Sequence, residues 1–541
     1  MTNLYLMLNA PLRIPTVDDP ATVRTRSSRA MAELFFPPEQ LLRTGGDLRL
    51  HLDPATGANS YGCAPFPTPQ SLSFASSTAT SISERAYRHV HEARDRLMRS
   101  ALALGMETAF DARIEAMRRE LKNHLALPAD EVDVVFSPSG TDAQLKALFA
   151  ATALQGPDLT TIVVAADQTG SGTEYTARGR HFSAVTAYGD RVSKGAAIGG
   201  FVDSIRSVGI DLVNASGSFR AIRELEAEII GAVENAMRGS GHVLLQVMDS
   251  SKLGLRAPSD RCVEEILSRW PGRVQILVDA CQMRLGRKRL RNYLDRGHMV
   301  IVTGSKFFTG PAFSGALLLP SALATKIDAA GTIAPGLLDY SARSDWPVRL
   351  ASLREQFPVR INLGQWLRWE AALEEMRAYY AVPSGFRLAA LMSFGAGLER
   401  IVKASTSLEL LSLPEPVDRD EDGELAQQTI FPVLVRHGDR MLRFEECRVL
   451  YRALASAVDR PDVVAERPPS TAGICLVGQP VALGSATESP AVLRICADAR
   501  LVTEAWACGD HGAAESLKRN LDDVGTIVSK LEWLLAGHSS L

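Results

Sequence analysis

Aromatic side chains make up only 6% of this 541-residue chain, and cysteine is scarcer, with seven. The cysteines are scattered, odd in number and mostly set in apolar runs, such as Cys475 in GICLVG and Cys496 in LRICAD. That usage suits reduced thiols and argues against a disulfide framework, and no Cys/His group has the spacing of a zinc site. No stretch approaches membrane-spanning length, and the first residues, MTNLYLMLNAPLRIP, lack the basic start and apolar core of a secretion signal. A surplus of one charge is missing too: the formal charge of −3 argues against attraction to nucleic acid or a membrane surface. Absent repeats remove solenoid architectures. A cytoplasmic globular enzyme is the class left standing.

Apolar residues make up 46% of the chain, and its length exceeds one ordinary core, so two lobes with extensions are expected. Residues 1–84 read as an N-terminal extension rich in Pro, Ser and Thr with little helical periodicity. Residues 85–360 carry alternating helical and strand patterns, expected to form an α/β domain with a mostly parallel sheet flanked by helices. Residues 361–541 begin with a well-patterned helix and continue as a smaller α+β lobe. Its acidic stretch LPEPVDRDEDGEL reads as a solvated turn.

The chemistry gathers at strand ends. VIVTGSKFFTGPAFSGALLLP, residues 300–320, is an apolar strand, a polar turn holding Lys306, a Gly/Pro bend and a second apolar strand. A lone lysine there could snorkel outward. Held inward, its ammonium loses hydration, its pKa falls, and the amine becomes a nucleophile toward carbonyls. Upstream, VQILVDACQ ends a strand in Asp279, where a parallel sheet presents its ligand crevice. Earlier still, VDVVFSPSGTDA runs from a strand through Gly140 and Thr141 into a helix whose N-terminus can hold an anion. An anion cradle, a carboxylate and a buried amine are the three things pyridoxal phosphate (PLP) requires.

SGTDA at 139–143, DSSKLG at 249–254, VDACQ at 278–282, TGSKFFTGPAFSGAL at 303–317 and, more weakly, LRICADARLV at 493–502 follow one another in order. In this the chain resembles the fold type I PLP enzymes of the class V aminotransferase and cysteine desulfurase group, over roughly residues 85–510. The resemblance implies that Lys306 carries the cofactor as a Schiff-base lysine and serves as general base, and that Asp279 pairs with its ring nitrogen. It further implies that Gly140 and Thr141, with the hydroxyls of Thr303 and Ser305, hold the phosphate, and that Gln282 meets the phenolic oxygen. Ser251 stands where the group often has an asparagine, and Arg494 matches its carboxylate-gripping arginine. Gln365, in the turn RINLGQ, falls where the group reaches across a homodimer interface to the other subunit's phosphate.

The chain also departs from the group. After the strand TTIVVAA an aromatic residue frequently covers the cofactor ring, whereas the local candidates here are Thr169 and Ser171. His181, nearby, reads as structural. In the extension, HLDPATGANSYGCAPFPTPQ reads as a surface arm, with the alternative that Asn59 or Tyr61 reaches the substrate pocket. The resemblance points to amino-group transfer on an amino-acid-like substrate. A lyase or desulfurase is the alternative, with Cys475 as the sulfur acceptor, although its apolar flanks suit a buried strand. A third reading is a non-catalytic cofactor-binding protein.

Overall fold

The computed structural model describes residues 20–537 apart from 202–204, 240, 331–332, 419–422, 458–472 and 486–487. Among the described residues, thirteen strands form two sheets. The first strand, β1 (Leu72–Phe74), comes from the extension. The large lobe contributes β2 (Val132–Ser137), β3 (Thr160–Val164), β4 (Arg206–Ile210), β5 (Val243–Met248), β6 (Val274–Ala280), β7 (Met299–Thr303) and β8 (Gly315–Pro320). The C-terminal part adds β9 (Leu408–Leu410), β10 (Ile430–His437), β11 (Arg440–Met441), β12 (Cys475–Ala482) and β13 (Ala491–Cys496).

The seven-stranded sheet has the order β2-β8-β7-β6-β5-β3-β4. β8 is antiparallel to both β2 and β7, and the remaining pairs are parallel. Six strands therefore point one way, and their carboxyl ends open on one edge. β2, β3, β5, β7 and β8 are buried along their whole length, as a sheet covered by helices on both faces requires. This is the helix-flanked α/β domain expected for the large lobe.

The helix Gly140–Gln155 is buried on nearly every side, so apolar periodicity cannot fix its orientation. Instead Lys146, wholly buried, donates 2.9 Å to Asp345 and 2.6 Å to the Phe136 carbonyl. Asp345 also accepts from Ser341 Oγ, Ala342 N and Gln365 Nε2, so the pair is saturated with hydrogen bonds. The helix Leu363–Ala381 is likewise buried all round and carries Trp366 and Trp369 into the core. Along one stripe of the helix Glu84–Leu104, Ala86, Val90, Ala93, Leu97 and Ala101 are buried, and it packs on that central helix.

The smaller sheet runs β1-β12-β13-β10-β11, with β9 on β10. β1 pairs parallel to β12, with Leu72 opposite Cys475 and Phe74 opposite Val477. The extension is thus stitched into the C-terminal lobe. It is also more helical than its sequence pattern predicts, holding the helices Pro20–Glu33 and Pro38–Leu42. Arg368 of the central helix donates to the carbonyls of Leu42, Thr44 and Gly45 and to that of Phe313, tying extension and site loop together. Gly45 has φ +63°, and a Cβ there would lie 1.7 Å from Asn362 Oδ1, so this junction admits only glycine.

Candidate active site

At the carboxyl edge of the large sheet lies a cavity of about 280 Å³, within reach of both lobes and the extension. Gly140, Thr141, Thr169, Asp279, Gln282, Thr303, Ser305, Lys306 and Arg494 all line it. The sequence had set these residues over some 350 positions, and the strand order brings them to one volume.

The expected anion cradle lies where β2 turns into the helix Gly140–Gln155. Ser139 Oγ accepts from Asp142 N at 3.2 Å, capping the helix. The N–H groups of Gly140 and Thr141 receive no partner from the chain among the described residues. A Cβ on Gly140 would stand 2.7 Å from Cys281 Sγ, so backbone and thiol meet here without room for a side chain. Asp142, in the same turn, is pushed up to about 6 by burial.

Asp279 sits at the end of β6, buried, with Cys281 N donating to Oδ1 at 3.1 Å and Gln246 Nε2 near Oδ2 at 3.4 Å. Burial raises its pKa, because the low-dielectric interior disfavours an unpaired carboxylate. A cation entering the cavity would reverse that. Lys306 follows β7, and its Nζ donates to the Thr78 carbonyl. Burial first, then the Arg494 charge, lowers its pKa to about 8. It makes no ion pair among the described residues.

Other predicted contacts take a different form. The Thr303 hydroxyl spends its proton on the Cys281 carbonyl at 2.7 Å and Thr169 donates to the Ala166 carbonyl at 3.1 Å, so neither hydroxyl has a proton left for an anion. Gln282 Nε2 donates to the Ser77 carbonyl at 3.0 Å, and its Oε1 is buried without a partner among the described residues. Arg494 gives Nε and Nη2 to the Gln479 carbonyl and Thr78 Oγ1, and Nη1 to the Lys252 carbonyl at 3.3 Å. One of its five N–H groups is left, fewer than a bidentate grip on a carboxylate needs. Burial lowers its pKa to about 10.

Two of the expected residues lie off the cavity wall. Ser251 does not line the cavity: its hydroxyl donates 2.6 Å to Gln168 Oε1 behind the wall. Gln365 lies outside the cavity too, since its amide is 2.8 Å from Asp345 Oδ1 and the residue is 3% exposed in the chain's own core. In the group this turn reaches across to the other subunit's phosphate, whereas here the Lys146–Asp345 network holds the Gln365 side chain inward. The extension is corrected as well: Tyr61 is on the cavity wall, accepting from Arg49 Nη1 at 3.4 Å. Asn59 is not, because its Oδ1 closes a local turn by accepting from Tyr61 N and Cys63 N.

Arg49, Ser77, Thr78, Gln168, Lys252 and Gln479 are wall residues that sequence reasoning missed. Arg49 is paired with Asp47 at 2.6 Å and stacks over the Phe313 ring at 4.7 Å. Phe313 has φ +75°, a strained conformation for a side chain of that size, held where the loop meets the cavity. Lys252 lies within DSSKLG, and its carbonyl meets Arg494 of the C-terminal lobe, a juxtaposition the motif alone does not show. Burial and the neighbouring Arg494 lower its pKa to about 8. His181 is structural, with Nδ1 2.7 Å from the Tyr340 hydroxyl, and Cys475 is buried in β12. No metal-binding cluster of acidic, His or Cys residues occurs among the described residues, and no helix among them is long and apolar enough to cross a membrane.

No protein-family model and no curated protein sequence matches the chain. Solved structures that align with most of it include a NifS-like protein, at 12% identity over 85% of this chain and 99% of that one, with a TM-score of 0.49. Ureidoglycine–glyoxylate aminotransferase from Bacillus subtilis aligns at 10% identity over 86% and 94%, with a TM-score of 0.47. A cysteine desulfurase from Escherichia coli aligns at 13% identity over 85% and 95%, also with a TM-score of 0.47.

Proposed function

We propose that the chain is a PLP-dependent enzyme acting on an amino-acid-like substrate, with amino-group transfer as its reaction. One observation carries this: a lysine of lowered pKa, a buried carboxyl short of a cation and a helix N-terminus with open N–H groups face a single cavity. Those groups fit the amine-reactive carbonyl, the pyridinium and the phosphate of PLP respectively. The unpartnered Gln282 Oε1 and the side-chain-free cradle at Gly140 agree with a polar occupant.

Bound PLP supplies an electron sink for the charge left on a substrate's Cα when a bond there is broken. Asp279, as carboxylate, holds the proton on the ring nitrogen. Lys306, whose pKa burial lowers to about 8, gives up its own proton more readily than an ordinary lysine and is then the base for the proton at Cα. Arg494 and Lys252 set a positive field for a substrate carboxylate, with one remaining Arg494 N–H and the Lys252 ammonium as donors. Tyr61 and Phe313 wall the cavity on the extension's side and limit water. Cys475, buried in its strand away from the cavity, is not placed to take sulfur from a bound substrate, and the thiol that does line the cavity, Cys281, packs against Gly140; amino-group transfer is therefore the reading preferred over desulfuration. A homodimer and a cytoplasmic location belong to the same reading.

Absorbance of the purified protein with added PLP, repeated with a panel of α-amino acids, tests it. A visible band that one amino acid converts to a pyridoxamine-like spectrum is expected. A lasting long-wavelength band with an elimination product would favour a lyase, and no band at all would leave the non-catalytic reading.

A further inference from the structure

The Ser251 hydroxyl oxygen accepts from Leu253 N and from Leu255 N, both at 3.1 Å. Both lone pairs are then used, so Ser251 can only donate its single proton, which goes 2.6 Å to the amide of Gln168. The amide atom facing Ser251 must be an acceptor. That fixes Gln168 Oε1 on the Ser251 side and Nε2 on the other, settling the orientation of a group whose two ends are otherwise hard to tell apart. Gln168 is 2% exposed and on the cavity wall, and Nε2 has no partner among the described residues. A buried donor without an acceptor is destabilising unless something in the cavity accepts from it.

We infer that Gln168, oriented by Ser251, is a positioning residue whose Nε2 donates to an anionic oxygen of the group bound in the cavity. The inference rests on the cofactor reading above and deepens it. The place after β3 presents an amide edge where an aromatic face was expected. Gln282, whose Nε2 is engaged by the Ser77 carbonyl, turns its free Oε1 as an acceptor, so the two glutamines offer opposite polarity. The anionic oxygen has two sources, the phenolate of PLP or the carboxylate of an amino acid.

The test compares the unmodified protein with Gln168→Glu, which keeps the acceptor for Ser251 but replaces the donor, and with Gln168→Leu. PLP affinity, the pH at which the visible band titrates, and spectral titrations with L-alanine, L-glutamate and L-cysteine are measured for each. If the phenolate is the acceptor, Gln168→Leu weakens PLP by about tenfold and moves the titration upward by about one pH unit, with Gln168→Glu worse. If the carboxylate is the acceptor, PLP binding and the titration stay put and amino-acid affinity falls by about tenfold. Should either variant fail to fold, Ser251→Ala, which frees the amide to rotate, is expected to move the same readout in the same direction. Unchanged values in all three measurements overturn the inference while leaving the cofactor reading intact. No band in the unmodified protein overturns both.

Discussion

The surroundings of Lys146 and of Lys306 show two ways of keeping a lysine away from bulk water. Lys146 is wholly enclosed, paired with Asp345, and its partner is satisfied by Ser341, Ala342 and Gln365. Among the described residues Lys306 has a single carbonyl partner, Thr78, and burial, aided by the cations Arg494, Arg49 and Lys252, depresses it. The first arrangement fixes the helix that carries the anion cradle. The second leaves a charge short of compensation, which is how a reactive amine is kept ready. Burial alone does not distinguish structure from chemistry, but the state of the partner does.

The same substitution should therefore have opposite consequences at the two sites. Lys146→Met strands Asp345 as an unpaired buried charge and is expected to cost about 3–5 kcal/mol in urea unfolding at pH 7. Lys306→Met, in protein free of PLP, removes an uncompensated ammonium and is expected to leave stability unchanged or raise it by up to about 3 kcal/mol. Equal losses at both positions would erase the comparison.

Titration sharpens it further. Only the neutral amine attacks a carbonyl, so the rate at which the visible band forms with PLP should rise about tenfold per pH unit below about 8 and level off above it. The folded-state pKa of Lys306 lies below the ordinary lysine value, so the unfolded chain holds more protons in between. Stability of the PLP-free protein should then gain from this group as pH rises from about 8 to 10.5, and Lys306→Met should flatten that rise. A rise that persists unchanged would assign it to Lys252 instead, whose pKa is also lowered to about 8.

The smallest effect concerns sulfur. Cys475→Ala trims one atom in β12 and is expected to lower stability by about 1 kcal/mol with turnover intact. Complete loss of turnover with PLP still bound would bring desulfuration back.

The large lobe was legible because its strands are continuous apolar runs that stop at Gly140, Asp279 and Lys306, and the carboxyl edge of a parallel sheet is where ligands bind. The extension was not. Its conformation is set by the Arg368 guanidinium gripping carbonyl oxygens at Leu42, Thr44 and Gly45, and a bond to a carbonyl leaves no mark on the residue that accepts it. Arg49, Tyr61 and Thr78 reached the cavity by that route. Gln168 is not legible from the residues around it, because the feature that singles it out is a hydroxyl 83 residues away with both lone pairs occupied.

The most direct test of the central claim is to add PLP to the purified protein, reduce with borohydride, digest, and locate the modified residue by mass spectrometry. One label per chain on Lys306, with Lys252 unmodified and no label in Lys306→Ala, is the predicted result. Label on Lys252, spread over surface lysines, or retained in Lys306→Ala would contradict it.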